Sequence, residues 1–122
     1  MHRSRAAVID DDQSVRESLP DLLLEFDFDT DVYASAEEFL AGEKISEYAC
    51  LILDIAMPGM SGLQLQRVLA ERNVDVPIVF ITAHADPDAR LRLHSDRVEC
   101  LLKPFKDAAL CGALQRVLKR TL

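Results

Sequence analysis

The sequence predicts a doubly wound α/β fold, a five-stranded parallel sheet with helices on both faces. Three observations predict it. Short apolar runs recur as continuous blocks instead of alternating with polar residues, as in strands covered on both sides. Segments with a single apolar helical face separate these runs. The chain has 122 residues, 49% of them hydrophobic, which suits one domain built around one core.

Each element follows in order. Ala6-Ala7-Val8-Ile9 is the first strand and runs into acids. Val15, Leu19, Leu22, Leu23 and Phe26 share one face of the first helix. Pro20 lies inside that helix, where it removes a backbone donor and predicts a kink near Arg16 to Pro20. Asp31-Val32-Tyr33 is short and β-prone, and Ser35 with Glu38 reads as a capping box opening a helix from Ala36 to about Leu40. Cys50-Leu51-Ile52-Leu53 is the third strand. Gly62 to Arg72 forms a helix with Leu65, Val68 and Leu69 inward and Asn73 at its stop.

Ile78-Val79-Phe80-Ile81 is the fourth strand, and Asp86-Pro87 is an N-cap with proline at the first helical position. The periodicity around Pro87 to His94 is weak, which predicts a short or mobile fourth helix. Glu99-Cys100-Leu101-Leu102 is the fifth strand, and Leu110, Ala113, Leu114, Val117 and Leu118 line the last helix. Right-handed crossovers then give a flavodoxin-like (βα)5 arrangement of strand order 2-1-3-4-5. With no linker, repeat or low-complexity tract, residues 1–122 read as one domain.

Composition narrows the function. The net charge of −7 repels nucleic-acid phosphates, which argues against direct nucleic-acid binding. No apolar run approaches the roughly 20 residues of a membrane helix, and Arg3 and Arg5 are followed by no signal-peptide core, so a cytoplasmic location is expected. Cys50, Cys100 and Cys111 form no C-x-x-C pair and read as three small, reduced core residues.

In an open α/β sheet, ligands sit outside the carboxyl ends of the strands. Those ends carry Asp10-Asp11-Asp12, Asp54, Thr82 and Lys103. A lone Asp-Asp-Asp is usually a solvated turn or a cap, but acids from neighbouring strands converge. Two unit charges ~4 Å apart interact by several kcal/mol at an effective dielectric near 20. A hard divalent cation such as Mg²⁺, or Mn²⁺, relieves that repulsion through oxygen ligands and leaves positions open for a phosphoryl oxygen. Asp54 is then a competent carboxylate nucleophile. The Lys103 ammonium, the Thr82 hydroxyl and the Ala83 backbone N–H are placed to receive the charge that develops on the phosphoryl oxygens.

Val8-Ile9-Asp10-Asp11-Asp12, Leu51-Ile52-Leu53-Asp54, Met57-Pro58-Gly59-Met60-Ser61-Gly62, Ile81-Thr82-Ala83 and Lys103-Pro104-Phe105 together resemble response-regulator receiver domains. The segment Ser35-Ala36-Glu37-Glu38-Phe39-Leu40 resembles the branch related to the nitrogen-fixation regulator FixJ. The resemblance implies that Asp54 is the phosphoacceptor and Asp11 a direct metal ligand. It also implies that Asp10 holds the metal through water and that the Ala56 backbone carbonyl is the third protein ligand. Thr82 matches the switch hydroxyl and Lys103 the phosphate-binding lysine, with a cis Lys103–Pro104 bond. Such a domain catalyses only its own phosphorylation and dephosphorylation. The partners implied are a sensor histidine kinase, a second copy of the chain through the fourth-helix, fifth-strand and fifth-helix face, and a C-terminal DNA-binding output domain outside this chain.

The sequence also departs from that pattern. Three residues before the lysine, where the family carries Phe or Tyr, stands Cys100. The segment Ser95-Asp96-Arg97-Val98 replaces the usual Gly-Ala, so Asp96 is expected in a left-handed turn. His84 follows Thr82 by two residues and, with Cys100, is a candidate modulator of the site. Arg90, Arg92 and Arg97 make the same face basic. The competing readings are an aspartyl phosphohydrolase, disfavoured because Ala56 stands where a general acid is needed, and a pseudo-receiver that binds a partner without regulated phosphorylation.

Overall fold

The computed structural model describes residues 3–83 and 97–122. The elements are β1 (Ser4–Ile9), α1 (Gln13–Glu25), β2 (Phe28–Tyr33), α2 (Ala36–Ala41), β3 (Cys50–Asp54), α3 (Gly62–Glu71), β4 (Ile78–Thr82), β5 (Val98–Leu102) and α4 (Asp107–Leu118). The helix expected around Pro87 to His94, with its Asp86-Pro87 cap, lies outside the described residues, as do His84, Arg90, Arg92 and Asp96. The strands form one parallel sheet of order β2-β1-β3-β4-β5, as the sequence predicts.

The continuous apolar runs are explained by what each face meets. Along β1, Ala7 and Ile9 join Phe39 of α2 and Leu65 and Leu69 of α3 in one core cluster, while Ala6 and Val8 join Leu19 and Leu23 of α1 and Leu110 and Leu114 of α4 in the other. Strand side chains alternate faces, so burial on both faces requires an apolar residue at every position. β3 and β4 are buried throughout, whereas the edge strands β2 and β5 are only partly so.

Local chemistry ends the helices where it can. Asp12 caps α1 by accepting from the Ser14 N–H. The helix runs unbroken through Pro20, which supplies no N–H for the Arg16 carbonyl one turn earlier. Ser35 accepts from the Glu38 N–H at 3.0 Å, but the Glu38 carboxylate accepts from Ala34, not Ser35, so the expected capping box is one-sided. The full box lies at α3, where Ser61 and Gln64 exchange both bonds, a S-x-x-Q signal readable in the sequence. Ser61→Ala is expected to lower stability by about 1 kcal/mol, seen as a lower urea midpoint at unchanged slope. Asn73 takes the left-handed conformation after α3, as its position predicts.

Polar ties bind the β2 edge. Asp31 accepts from Arg5 at 3.0 Å and from the Tyr48 hydroxyl at 2.8 Å, and the Tyr33 and Tyr48 hydroxyls are 2.5 Å apart. Burial, with these bonds to Tyr33 and Asp31, pushes the Tyr48 phenol far above its usual range. Cys50 is buried, and that burial pushes its thiol up to about 12 against the pull of Arg120.

Candidate functional site

The strand order sets the ends of β1, β3, β4 and β5 side by side, and the site is built from the residues there. Asp10 follows β1, Asp54 ends β3, Thr82 ends β4 and Lys103 follows β5. Asp10, Asp54 and Thr82 are the buried polar residues among those described, at 0%, 5% and 8% exposure. Lys103 Nζ lies 2.8 Å from Asp10 Oδ2 and 3.7 Å from Asp54 Oδ2. Its backbone N–H donates to the Thr82 carbonyl at 2.7 Å, and the Lys103–Pro104 bond is cis. The chain thus brings Asp10, Asp54 and Lys103 together as the sequence predicts, but with the ammonium closer to Asp10 than to Asp54.

Carboxylate oxygens of Asp10, Asp11 and Asp54 lie within 4.8 Å of one another. Three hard oxygen donors at that spacing suit Mg²⁺ or Mn²⁺. The acids differ in how they are held. Every polar atom of Asp10 has a partner inside the protein: its N–H donates to the Tyr33 carbonyl at 3.1 Å and its carbonyl accepts from Arg16 Nη1 at 2.9 Å. Its Oδ1 accepts from the Asp12 N–H at 2.9 Å, and its Oδ2 from Lys103. Asp11 is exposed. Asp12 belongs to the helix cap, where hydrogen bonds from the Ser14 side chain and backbone hold its carboxyl below the usual range.

The pocket's electrostatics follow from burial. Desolvation, then the charge of Asp10, push Asp54 up to about 7 against Lys103 and the Ala56 N–H, which stabilise its charged form. For Lys103, burial opposes the ammonium, yet the hydrogen bond and charge of Asp10, together with Asp54 and Asp12, outweigh it and raise its pKa.

Two glycines and a glutamate shape the loop beyond β3; all three lie in segments that carry the resemblance, but no sequence signal shows what they touch. A Cβ on Gly62 would stand 2.3 Å from the Asp54 carbonyl oxygen, so only glycine lets α3 start this close to the strand end. Gly59 has φ of 74°, and the Glu37 carboxylate from α2 rests against it and accepts from the Met60 N–H at 3.3 Å. Ala56 and Ala83 are exposed beside Asp54 and Thr82. Cys100 is buried opposite Phe80, in the core cluster on the α2–α3 side. Arg97 pairs with Asp75 at 3.1 Å. Beside Lys103 a cavity of about 720 Å³ runs along α1, lined by Val15, Leu19, Leu22, Pro104 and Phe105, with Asp12, Asp21 and Glu25 at its rim.

Residues 6–115 match the family model of the response regulator receiver domain. The chain belongs to that family. The receiver domain is 39% identical over 113 residues to the response regulator protein TodT of Pseudomonas putida, covering 92% of this chain and 50% of TodT. It is 34% identical over 110 residues to the transcriptional regulatory protein FixJ of Rhizobium meliloti, covering 89% of this chain and 54% of FixJ. The solved structure of the response regulator StyR superposes with a TM-score of 0.82 at 38% identity, over 96% of this receiver domain and 60% of that chain. The domain therefore spans about half the length of the curated relatives it matches. As a receiver domain it is a signalling module of two-component systems. Among the described residues, no helix is long and apolar enough to cross a membrane.

Proposed function

We propose that this receiver domain accepts a phosphoryl group from a sensor histidine kinase onto Asp54, with Mg²⁺ or Mn²⁺ bound, and thereby switches an output domain or partner. The observation that carries the reading is the gathering of Asp54 with Asp10, Asp11 and the Lys103 ammonium at the strand ends. Asp11 and Asp54 would hold the cation directly, with the Ala56 carbonyl, and Asp10 through water. When bound, the cation supplies positive charge to the phosphoryl oxygens and relieves the repulsion among the acids.

The remaining work falls to the chain. An Asp54 carboxylate oxygen bonds to phosphorus as the bond from phosphorus to the donor's leaving group breaks, giving an aspartyl phosphate. Lys103 lies within 3.7 Å of that carboxylate and receives the developing negative charge. Thr82 and the Ala83 N–H, at the end of β4, receive another phosphoryl oxygen, which draws the threonine and biases a two-state equilibrium. The domain acts on itself and turns over no external substrate. The cavity along α1, lined by Leu19, Leu22, Lys103, Pro104 and Phe105, gives a donor helix a seat beside Lys103. The output would be a DNA-binding domain or a second copy of the chain, in the cytoplasm.

Incubation with Mg²⁺ and acetyl phosphate should add one phosphoryl group by intact mass, absent in Asp54→Ala and without Mg²⁺. No adduct with acetyl phosphate, phosphoramidate or a kinase would overturn the reading. Cys100, in place of the family's aromatic, favours a second reading as a pseudo-receiver. That reading expects partner affinity to be the same for wild type and Asp54→Ala, with or without phosphodonor.

A further inference from the structure

We propose that Arg16 is a positioning residue for the cation site, acting through the backbone of Asp10 to aim the Asp11 carboxylate. The inference rests on the reading of Asp11 and Asp54 as cation ligands. Asp11 is exposed at the end of a strand, so its direction depends on the two peptide units that flank it. A peptide unit is planar and turns as one body, so a bond to its oxygen or its N–H restrains the whole unit. The unit after Asp11 is held by the Asp12 N–H donating to Asp10 Oδ1 at 2.9 Å. The unit before Asp11 carries the Asp10 carbonyl, which accepts from Arg16 Nη1 at 2.9 Å. Arg16 thus clamps the second of the two planes. It does so from the first turn of α1, whose start is fixed by the Asp12 cap and by the Arg16 N–H donating to the Asp12 carbonyl.

Position and charge predict opposite effects of removing this side chain. A guanidinium near the acids repels a dication, so by charge alone its loss would tighten cation binding. By positioning, its loss lets the Asp10–Asp11 peptide turn and weakens binding. Outer partners that orient ligands typically change metal affinity by 10–100-fold when removed. The charged, forked donor suits a carbonyl it must reach from a neighbouring element.

The test is calorimetric titration of the full chain with Mg²⁺ and no phosphodonor, at fixed ionic strength, for wild type, Arg16→Met and Arg16→Lys. Arg16→Met should bind Mg²⁺ roughly tenfold more weakly, with Arg16→Lys recovering part of the loss because it restores a donor. The same order should appear in the Mg²⁺ concentration that half-saturates phosphorylation by acetyl phosphate. Equal or tighter Mg²⁺ binding in Arg16→Met would overturn the inference alone. Absence of Mg²⁺ binding in wild type would overturn both it and the reading it rests on. Melting without Mg²⁺ reports whether the variants fold. If Arg16→Met does not, Arg16→Gln carries the test, with weaker binding expected and equal or tighter binding overturning the inference.

Discussion

In metal-free protein, Asp54→Asn is expected to be more stable than wild type at pH 7.5 by on the order of 2 kcal/mol, and to differ little at pH 4. Burial first, and the nearby Asp10 charge second, raise the folded-state pKa of Asp54 to about 7 from an ordinary value of 3.8. A carboxyl whose folded pKa is raised binds more protons folded than unfolded. Its contribution to stability is therefore complete below about pH 4 and is lost as pH rises through about 7. Each pH unit between the two values is worth about 1.4 kcal/mol, and solvent screening and rearrangement around the partly hydrated carboxyl reduce the full sum. The substituted asparagine carries no proton to lose and keeps the side-chain shape, so the variant's stability should lack this contribution to the pH slope. Urea unfolding at pH 4, 5.5 and 7.5 checks the slope. Parallel slopes for the two proteins would show that Asp54 is not strained by its surroundings.

Gly62→Ala should lower stability by about 3 kcal/mol and the melting temperature by roughly 10 °C. Helix propensity and unfolded-state entropy both favour alanine at such a position, by up to about 1 kcal/mol. The new Cβ, however, would stand 2.3 Å from the Asp54 carbonyl oxygen and 3.1 Å from the Ile55 Cα. These are backbone atoms of a buried strand end and cannot rotate away, so either β3 or α3 must shift. Gly112 in α4 provides the contrast. There a Cβ would meet the end of the Arg116 side chain at 3.2 Å, which can move, so Gly112→Ala should be neutral or stabilising by up to about 1 kcal/mol. Calorimetric melting of both variants separates the two glycines, and a Gly62→Ala protein melting with wild type would refute the steric account.

The sheet is readable because its three inner strands are buried on both faces, and such burial writes itself as unbroken apolar runs. Strand order and the meeting of Asp10, Asp54 and Lys103 follow from topology, since residues at strand ends are brought together by the sheet itself. What is not readable depends on side-chain reach. Arg16 bonding back to a carbonyl six residues earlier, Glu37 reaching the loop beyond β3, and the Tyr33–Tyr48–Asp31–Arg5 ties have no periodic or motif signature. The strand ends bring Lys103 to both acids, and its closer bond to Asp10 than to Asp54 is a matter of side-chain reach that topology does not set. The Ser35–Glu38 pair has the spacing of a reciprocal box, yet Glu38 takes the Ala34 N–H instead.

The unequal treatment of the acids has a geometric consequence. With both carboxylate oxygens of Asp10 already engaged by Lys103 and the Asp12 N–H, that side of the pocket is a fixed wall. Asp11, exposed to water, forms the yielding wall, where bound solvent can be exchanged without breaking any of the bonds that hold Asp10. Between Asp10 and Asp11, solvent therefore exchanges on the Asp11 side.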